Sequence, residues 1–179
     1  MDIAHHIRTI PDYPKPGIMY RDVSTLLGSA PALVETVDQL CVPYRSGDGT
    51  SDVAYVAGIE ARGFPIGGAM AVALGAGFIP IRKAGKLPAK TDAQDYELEY
   101  GTDTIEMHSD AITPGDRVLL VDDLIATGGT AEAAVALLHR AGADIIAAAF
   151  IVALPELGGM ARVGALNIEA HALVEYQGH

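Results

Sequence analysis

The chain has 179 residues, 50% hydrophobic and 20% charged, which suits one globular domain with a proper core and argues against disorder. Twelve basic residues against 23 acidic ones leave a formal charge of −11, which disfavours nucleic-acid binding. A lone cysteine, Cys41, excludes an internal disulfide or a cysteine-built zinc site, and no apolar run reaches the ~20 residues of a membrane span.

In chain order, Ile3, Ile7 and Ile10 recur at helical spacing and predict a short helix stopped by Pro11, with His5 and His6 exposed on it. The segment from Asp12 to Asp22 is too rich in Pro and Gly for regular structure and reads as an ordered loop. A helix is predicted from about Pro31 to Cys41, with proline in its first turn and Cys41 as a small buried residue. Ser46-Gly-Asp-Gly-Thr-Ser is a surface loop. Continuous apolar runs at 53–59, 78–81, 118–121 and 145–152 suit strands covered on both faces. Helical stretches at about 63–75 and 129–141 lie between them. Strand alternating with helix predicts one α/β domain over 1–179, a central parallel sheet flanked by helices.

One segment breaks the alternation. Tyr96, Leu98 and Tyr100 share one face and Glu97 and Glu99 the other; Gly101-Thr-Asp then leads into an alternating Thr104-Ile-Glu-Met-His. This predicts a β-hairpin, approached through a polar loop over 86–95. It has the form of a flap over a site, and fold physics alone supports a plain excursion equally.

The strongest chemical signal is Val118-Leu-Leu-Val-Asp-Asp-Leu-Ile-Ala-Thr-Gly-Gly-Thr. A buried strand ends in Asp122 and Asp123, and Gly128 and Gly129, flanked by Thr127 and Thr130, open a helix. Ligands of open α/β sheets sit at the carboxyl ends of strands, and helix N-termini cradle anions. Thr and Gly at a helix start also suit plain capping. Capping does not require two adjacent acids, which repel unless something polar or cationic lies between them. A P-loop and a dinucleotide fingerprint are both absent. The pattern asks for a ligand with a phosphate at one end and hydroxyls at the other.

This segment resembles the phosphoribosyl-pyrophosphate (PRPP) motif of the type I phosphoribosyltransferases. Pro14-Lys-Pro-Gly-Ile-Met-Tyr-Arg-Asp, Gly58-Ile-Glu-Ala-Arg-Gly-Phe, and Ile81-Arg-Lys-Ala-Gly-Lys-Leu-Pro with Tyr96-Glu-Leu-Glu-Tyr-Gly narrow the likeness to the family's adenine-specific branch. The resemblance implies the type I fold, with a small hood from residues of about 1–35 and a flexible hairpin flap at about 84–110. It implies joining of adenine to PRPP, giving AMP and pyrophosphate in a Mg²⁺-dependent purine salvage reaction. Asp122 and Asp123 would take the ribose hydroxyls, and Ala126, Thr127, Gly128, Gly129 and Thr130 the 5′-phosphate. Arg62, Arg82, Lys83 and Lys86 would meet the pyrophosphate, and in this family the Arg82 segment can reach a neighbouring subunit's site. Met19, Tyr20 and Arg21 would hold adenine, although Met19-Tyr20 stands where the family often has smaller residues or phenylalanine. Glu99 matches the family's proton-handling carboxylate; without the resemblance it reads as a solvent-facing strand residue. Tyr100 is expected to pack on the closed site.

Magnesium would arrive with PRPP, so no dedicated metal site is expected, and the scattered His108, His139, His171 and His179 lack ligand spacing. The resemblance also implies a homodimer. The N-terminal Met1-Asp-Ile-Ala-His-His lacks the blocks of a secretory signal, so cytoplasmic residence without nucleic-acid or membrane partners is the expectation. Two alternatives remain: a phosphoribosyltransferase for xanthine, guanine or hypoxanthine, and a non-catalytic PRPP-sensing regulator. The second would need a DNA-binding module or basic face that the length and charge leave no room for.

Overall fold

The computed structural model describes residues 1–97 and 101–178. After a 3-10 turn at Ile3–His6, β1 (Arg8–Pro11) and β2 (Met19–Asp22) form an antiparallel ribbon, followed by α1 (Ser24–Leu27) and α2 (Ala30–Cys41). The helix expected over 3–10 is therefore a single turn leading into a strand. Thr9, Ile10 and Pro11 favour extended backbone, and Thr9 and Ile10 pair with Arg21 and Tyr20. Ile3 and Ile7 are still buried, whereas Ile10 and His6 are only half-buried. The loop expected over 12–22 ends in β2 for the same reason, because its ladder partner is β1.

The main body runs β3 (Tyr55–Ile59), α3 (Gly63–Leu74), β4 (Gly77–Lys83), β5 (Thr91–Glu97), β6 (Thr102–His108), β7 (Arg117–Ile125), α4 (Gly129–Arg140), β8 (Asp144–Ala153), α5 (Gly159–Gly164) and β9 (Ala170–Glu175). Its seven-stranded sheet has the order β5-β6-β4-β3-β7-β8-β9. The five strands from β4 to β9 are parallel. The expected β-hairpin, β5–β6, joins the edge of this parallel sheet antiparallel, which makes the whole sheet mixed. The hairpin also starts earlier than the alternation suggests: Thr91–Asp95, read as polar loop, belongs to β5.

Side chains of β7 alternate between two cores, as the two-residue period of a strand requires. Val118 and Leu120 join Leu137 and Leu138 of α4, while Leu119 and Val121 join Ile66 and Met70 of α3 and Leu40 and the buried Cys41 of α2. The crossover β3-α3-β4 runs one way along the sheet and β7-α4-β8 the other. Strand order therefore reverses between β3 and β7, and a crevice opens at their carboxyl ends. Both the Glu60–Arg62 loop and the Asp122–Thr130 segment fall there. No helix among the described residues is long and apolar enough to cross a membrane.

Candidate active site

Pairing of β3 with β7 stops at Gly58–Val121, whereas β8 accompanies β7 as far as Ile125. The strand thus continues past the acid pair instead of ending at it, and Asp122 and Asp123 lie on the stretch that β3 leaves uncovered. Gly63, opening α3, makes room for them: a Cβ there would lie 2.8 Å from the Val121 carbonyl and 3.1 Å from Asp122 Oδ1. Asp122 Oδ1 accepts a hydrogen bond from the Asp123 N–H at 2.8 Å. Burial, and then the neighbouring Asp123 charge, push the Asp122 carboxyl well above its usual range, which favours its protonated form. Asp123 is 3% exposed, and its Oδ2 accepts from Arg62 Nε at 2.5 Å. A cation thus supplies the compensation that two adjacent acids demand.

Asp122 shares a cavity of about 130 Å³ with Leu124, Thr127, Thr130 and Phe150 and the glycine turn between them. Gly128 adopts φ +79°, a left-handed conformation that turns the chain into α4. The first helical bond of α4 runs from the Glu132 N–H to the Gly128 carbonyl, so the N–H groups of Gly129, Thr130 and Ala131 precede the ladder. Such free donors at a helix N-terminus suit an anion. Gly159 backs the turn: its N–H donates to the Ala126 carbonyl at 2.9 Å, and a Cβ on Gly128 would sit 2.9 Å from Gly159 Cα. Nothing near Asp122 in sequence announces Gly159; its signal is the Gly158-Gly159 pair opening a helix.

Beyond β3, the Glu60–Ala61 peptide is cis, and Glu60 gathers the basic segment. Its carboxylate accepts from Lys86 Nζ at 2.8 Å and from Arg82 Nε and the Lys83 N–H at 3.1 Å each. Lys86 foremost, with Arg82 and the Lys83 amide, outweighs burial and holds the Glu60 carboxyl down at about 2. Lys83 pairs with Asp103 of the hairpin at 2.8 Å. Arg82, Lys83 and Lys86 are therefore brought together beside Arg62's loop. Glu106, which the sequence did not single out, is 6% exposed and accepts from the Gly85 and Leu87 N–H groups and from Thr91 Oγ1. It shapes the turn that carries the lysines.

Met19, Tyr20 and Arg21 line a larger cavity of about 530 Å³ with Arg62, Leu124, Ala126, Thr127, Leu154 and Leu157. Leu154 and Leu157, beyond the end of β8, were not singled out by the sequence. The two cavities share Leu124, Ala126 and Thr127 as a wall. The guanidinium of Arg21 turns away, donating to Thr9 Oγ1 at 2.6 Å and stacking 4.2 Å over the Tyr176 ring. Its part in this cavity thus falls to the rest of the residue. The hairpin leans on α4: Arg140 Nη2 donates to the Ala93 carbonyl and to Gln94 Oε1, both at 3.1 Å. Glu99 and Tyr100 lie outside the described residues; Glu97, two positions before Glu99, has its carbonyl beside Gly129.

The phosphoribosyl transferase domain family matches residues 26–175 of the chain. An adenine phosphoribosyltransferase of Bradyrhizobium sp. (strain BTAi1) is 58% identical over 179 residues, covering 100% of this chain and 98% of that protein. One from Rhizobium meliloti is 60% identical over 178 residues, covering 99% and 97%. Among solved structures, adenine phosphoribosyltransferase of Rhodothermus marinus superposes with a TM-score of 0.89 at 47% identity over 97% of this chain and 96% of its own. The Giardia lamblia enzyme, complexed with 9-deazaadenine, gives 0.90 at 35% identity over 98% and 96%. The mixed sheet, its switch point and the glycine turn thus form a type I phosphoribosyltransferase fold, and the chain belongs to the adenine phosphoribosyltransferase family.

Proposed function

We propose that the chain transfers the phosphoribosyl group of PRPP to adenine, releasing pyrophosphate and forming AMP. The observation that carries this reading is the shared wall of the two cavities. A polar one, with Asp122 and the helix N-terminus, adjoins a largely apolar one beneath the hood ribbon. A sugar phosphate fits the first and a flat base the second.

In the reaction the bond from the anomeric carbon to pyrophosphate oxygen breaks, its electron pair leaving with the oxygen. An imidazole nitrogen of adenine attacks from the opposite face and gives up its proton. The ribose becomes oxocarbenium-like on the way, as in glycoside cleavage. The Asp123 carboxylate accepts from a ribose hydroxyl and favours positive charge on the ring, while Asp122 binds a second hydroxyl of the sugar. The N–H groups from Ala126 to Thr130 and the threonine hydroxyls hold the 5′-phosphate; each such bond to a charged group contributes about 1.5–3 kcal/mol. Arg82, Lys83 and Lys86 exchange their carboxylate partners for the departing pyrophosphate, and Arg62 offers it the donors that Asp123 and Tyr20 leave uncommitted. Glu99, carried by the flap over 84–110, takes the base's proton. Backbone groups of the hood over 1–35 suit an amino-purine and leave a 6-oxopurine unpaired.

The substrate's phosphates would supply most of the ligands of Mg²⁺, so the chain needs no dedicated metal cage. Magnesium arriving with PRPP would neutralise the leaving group. Cytoplasmic residence and a homodimer complete the reading; Val72 on α3, 85% exposed, is a surface a second subunit could cover.

The direct test is AMP formation from adenine, PRPP and Mg²⁺ with guanine, hypoxanthine and xanthine as competitors. The reading expects AMP and little inhibition by the 6-oxopurines. It also expects Asp123→Asn and Glu99→Ala to fold normally and lose about two orders of magnitude in kcat/KM. Turnover of a 6-oxopurine in preference to adenine, or wild-type rates in both variants, overturns it.

A further inference from the structure

Arg62 stands between the hood and the acid pair. Its Nε donates to Asp123 Oδ2 at 2.5 Å and its Nη1 donates to Tyr20 Oη at 2.6 Å, with the guanidinium carbon 5.8 Å from the Tyr20 ring centre. Tyr20 is itself braced by Tyr13, whose ring meets it edge-on at 5.2 Å between centres. A guanidinium has five N–H donors in one plane. Two are committed here, at opposite sides of the group, leaving three with a fixed direction.

We infer that the Tyr20 hydroxyl is a positioning residue for the pyrophosphate end of PRPP, acting through Arg62. This deepens the reading above and rests on it. Tyr20 thus has two separable parts, a ring that walls the base cavity and a hydroxyl that serves the other substrate. With Asp123 as the sole pin, the guanidinium would swing about its Nε contact and its free donors would lose their aim. With both pins it meets an oxyanion as a preset fork, so little orientational freedom remains to be lost on binding. Sequence comparison by residue class would miss this, because phenylalanine fills the cavity wall equally well.

The test is Tyr20→Phe, which keeps the ring and removes only the pin. Affinity for inorganic pyrophosphate, and KM for PRPP, should each weaken about tenfold, the scale of one hydrogen bond to a charged group. KM for adenine and the melting temperature should move little. In an Arg62→Lys background, where the planar fork is gone, the same substitution should change pyrophosphate affinity less than twofold. Unchanged pyrophosphate affinity in Tyr20→Phe, a loss confined to adenine, or a full tenfold loss persisting in Arg62→Lys overturns the inference. A wild-type protein that makes no AMP from adenine and PRPP would instead overturn the underlying reading.

Discussion

Replacing Gly159 by alanine probes how the phosphate turn is held. The new Cβ would lie 2.3 Å from the Ala126 carbonyl oxygen, 2.8 Å from Ile125 Cγ1 and 2.9 Å from the Gly128 nitrogen. Ordinary contact needs about 3.5 Å, so the turn must retreat by about 1 Å. Two of those atoms are backbone and cannot rotate aside, and the retreat breaks the 2.9 Å bond from the Gly159 N–H to Ala126 that ties α5 to the turn. Overpacking of this kind costs about 1–3 kcal/mol. At about 2 kcal/mol, a chain of this size should lose about 4–8 °C in Tm. A shift of about 1 Å also carries N–H donors out of hydrogen-bonding range, and losing one such bond to phosphate weakens PRPP binding at least about tenfold. Thermal melting followed by circular dichroism and calorimetric titration with Mg-PRPP read the two effects separately. Gly164→Ala is the control, since a Cβ there meets nothing within 4 Å. If Gly159→Ala melts and binds like the wild type, the turn is not held from behind by α5 and the account of its geometry fails.

Two further outcomes concern the carboxyls of Asp122 and Glu106. Asp122→Asn keeps the oxygen that accepts from the Asp123 N–H but removes an acid whose pKa is raised in the fold. A raised folded pKa means stability that is complete below the ordinary value of 3.8 and is lost as pH climbs through the raised one. The variant should therefore match the wild type in acid and gain about 0.5–2 kcal/mol at neutral pH, while losing activity; a melting-temperature gap that closes towards neutral pH would refute this. Glu106→Ala removes the acceptors facing the Gly85 and Leu87 amides and Thr91. It should cost about 1–3 kcal/mol and speed proteolytic cleavage over 84–91, checked by limited digestion; wild-type digestion kinetics would count against it.

What could be read from the sequence is what the chain encodes locally. The passage from β7 to α4 is one uninterrupted segment in which an apolar run, two acids and two glycines each carry their own physical signature. The strands around it are of the same kind, since burial on both faces writes a continuous apolar run. β2 was missed because the prolines and glycine before it read as irregular loop, and Thr91–Asp95 of β5 because it carries no apolar run; their pairing is supplied by β1 and β6. Glu106 was not singled out, for a related reason. Alternation assigns it to the outer face of β6, and only the fold of 84–91 over that face shows it to be buried. Gly159, Leu154 and Leu157 reach the site from beyond β8, a distance along the chain that no periodicity spans.

The same contrast explains why Arg62 matters more than its motif suggests. Read locally, it is a cation after a strand, suited to a leaving pyrophosphate. In the fold it also neutralises Asp123, the carboxylate assigned to the sugar, and it touches Tyr20 in the wall of the base cavity. The three regions assigned to base, sugar and pyrophosphate therefore meet on one guanidinium. An ion pair at 2.5 Å to a buried acid opposes any rearrangement that leaves that acid unpaired, because an isolated buried carboxylate is costly. Arg62 therefore stays on Asp123 and meets pyrophosphate with its remaining donors, while Asp123 also accepts from a ribose hydroxyl. Sugar and leaving group are then recognised together, which favours PRPP over ligands that offer either part alone.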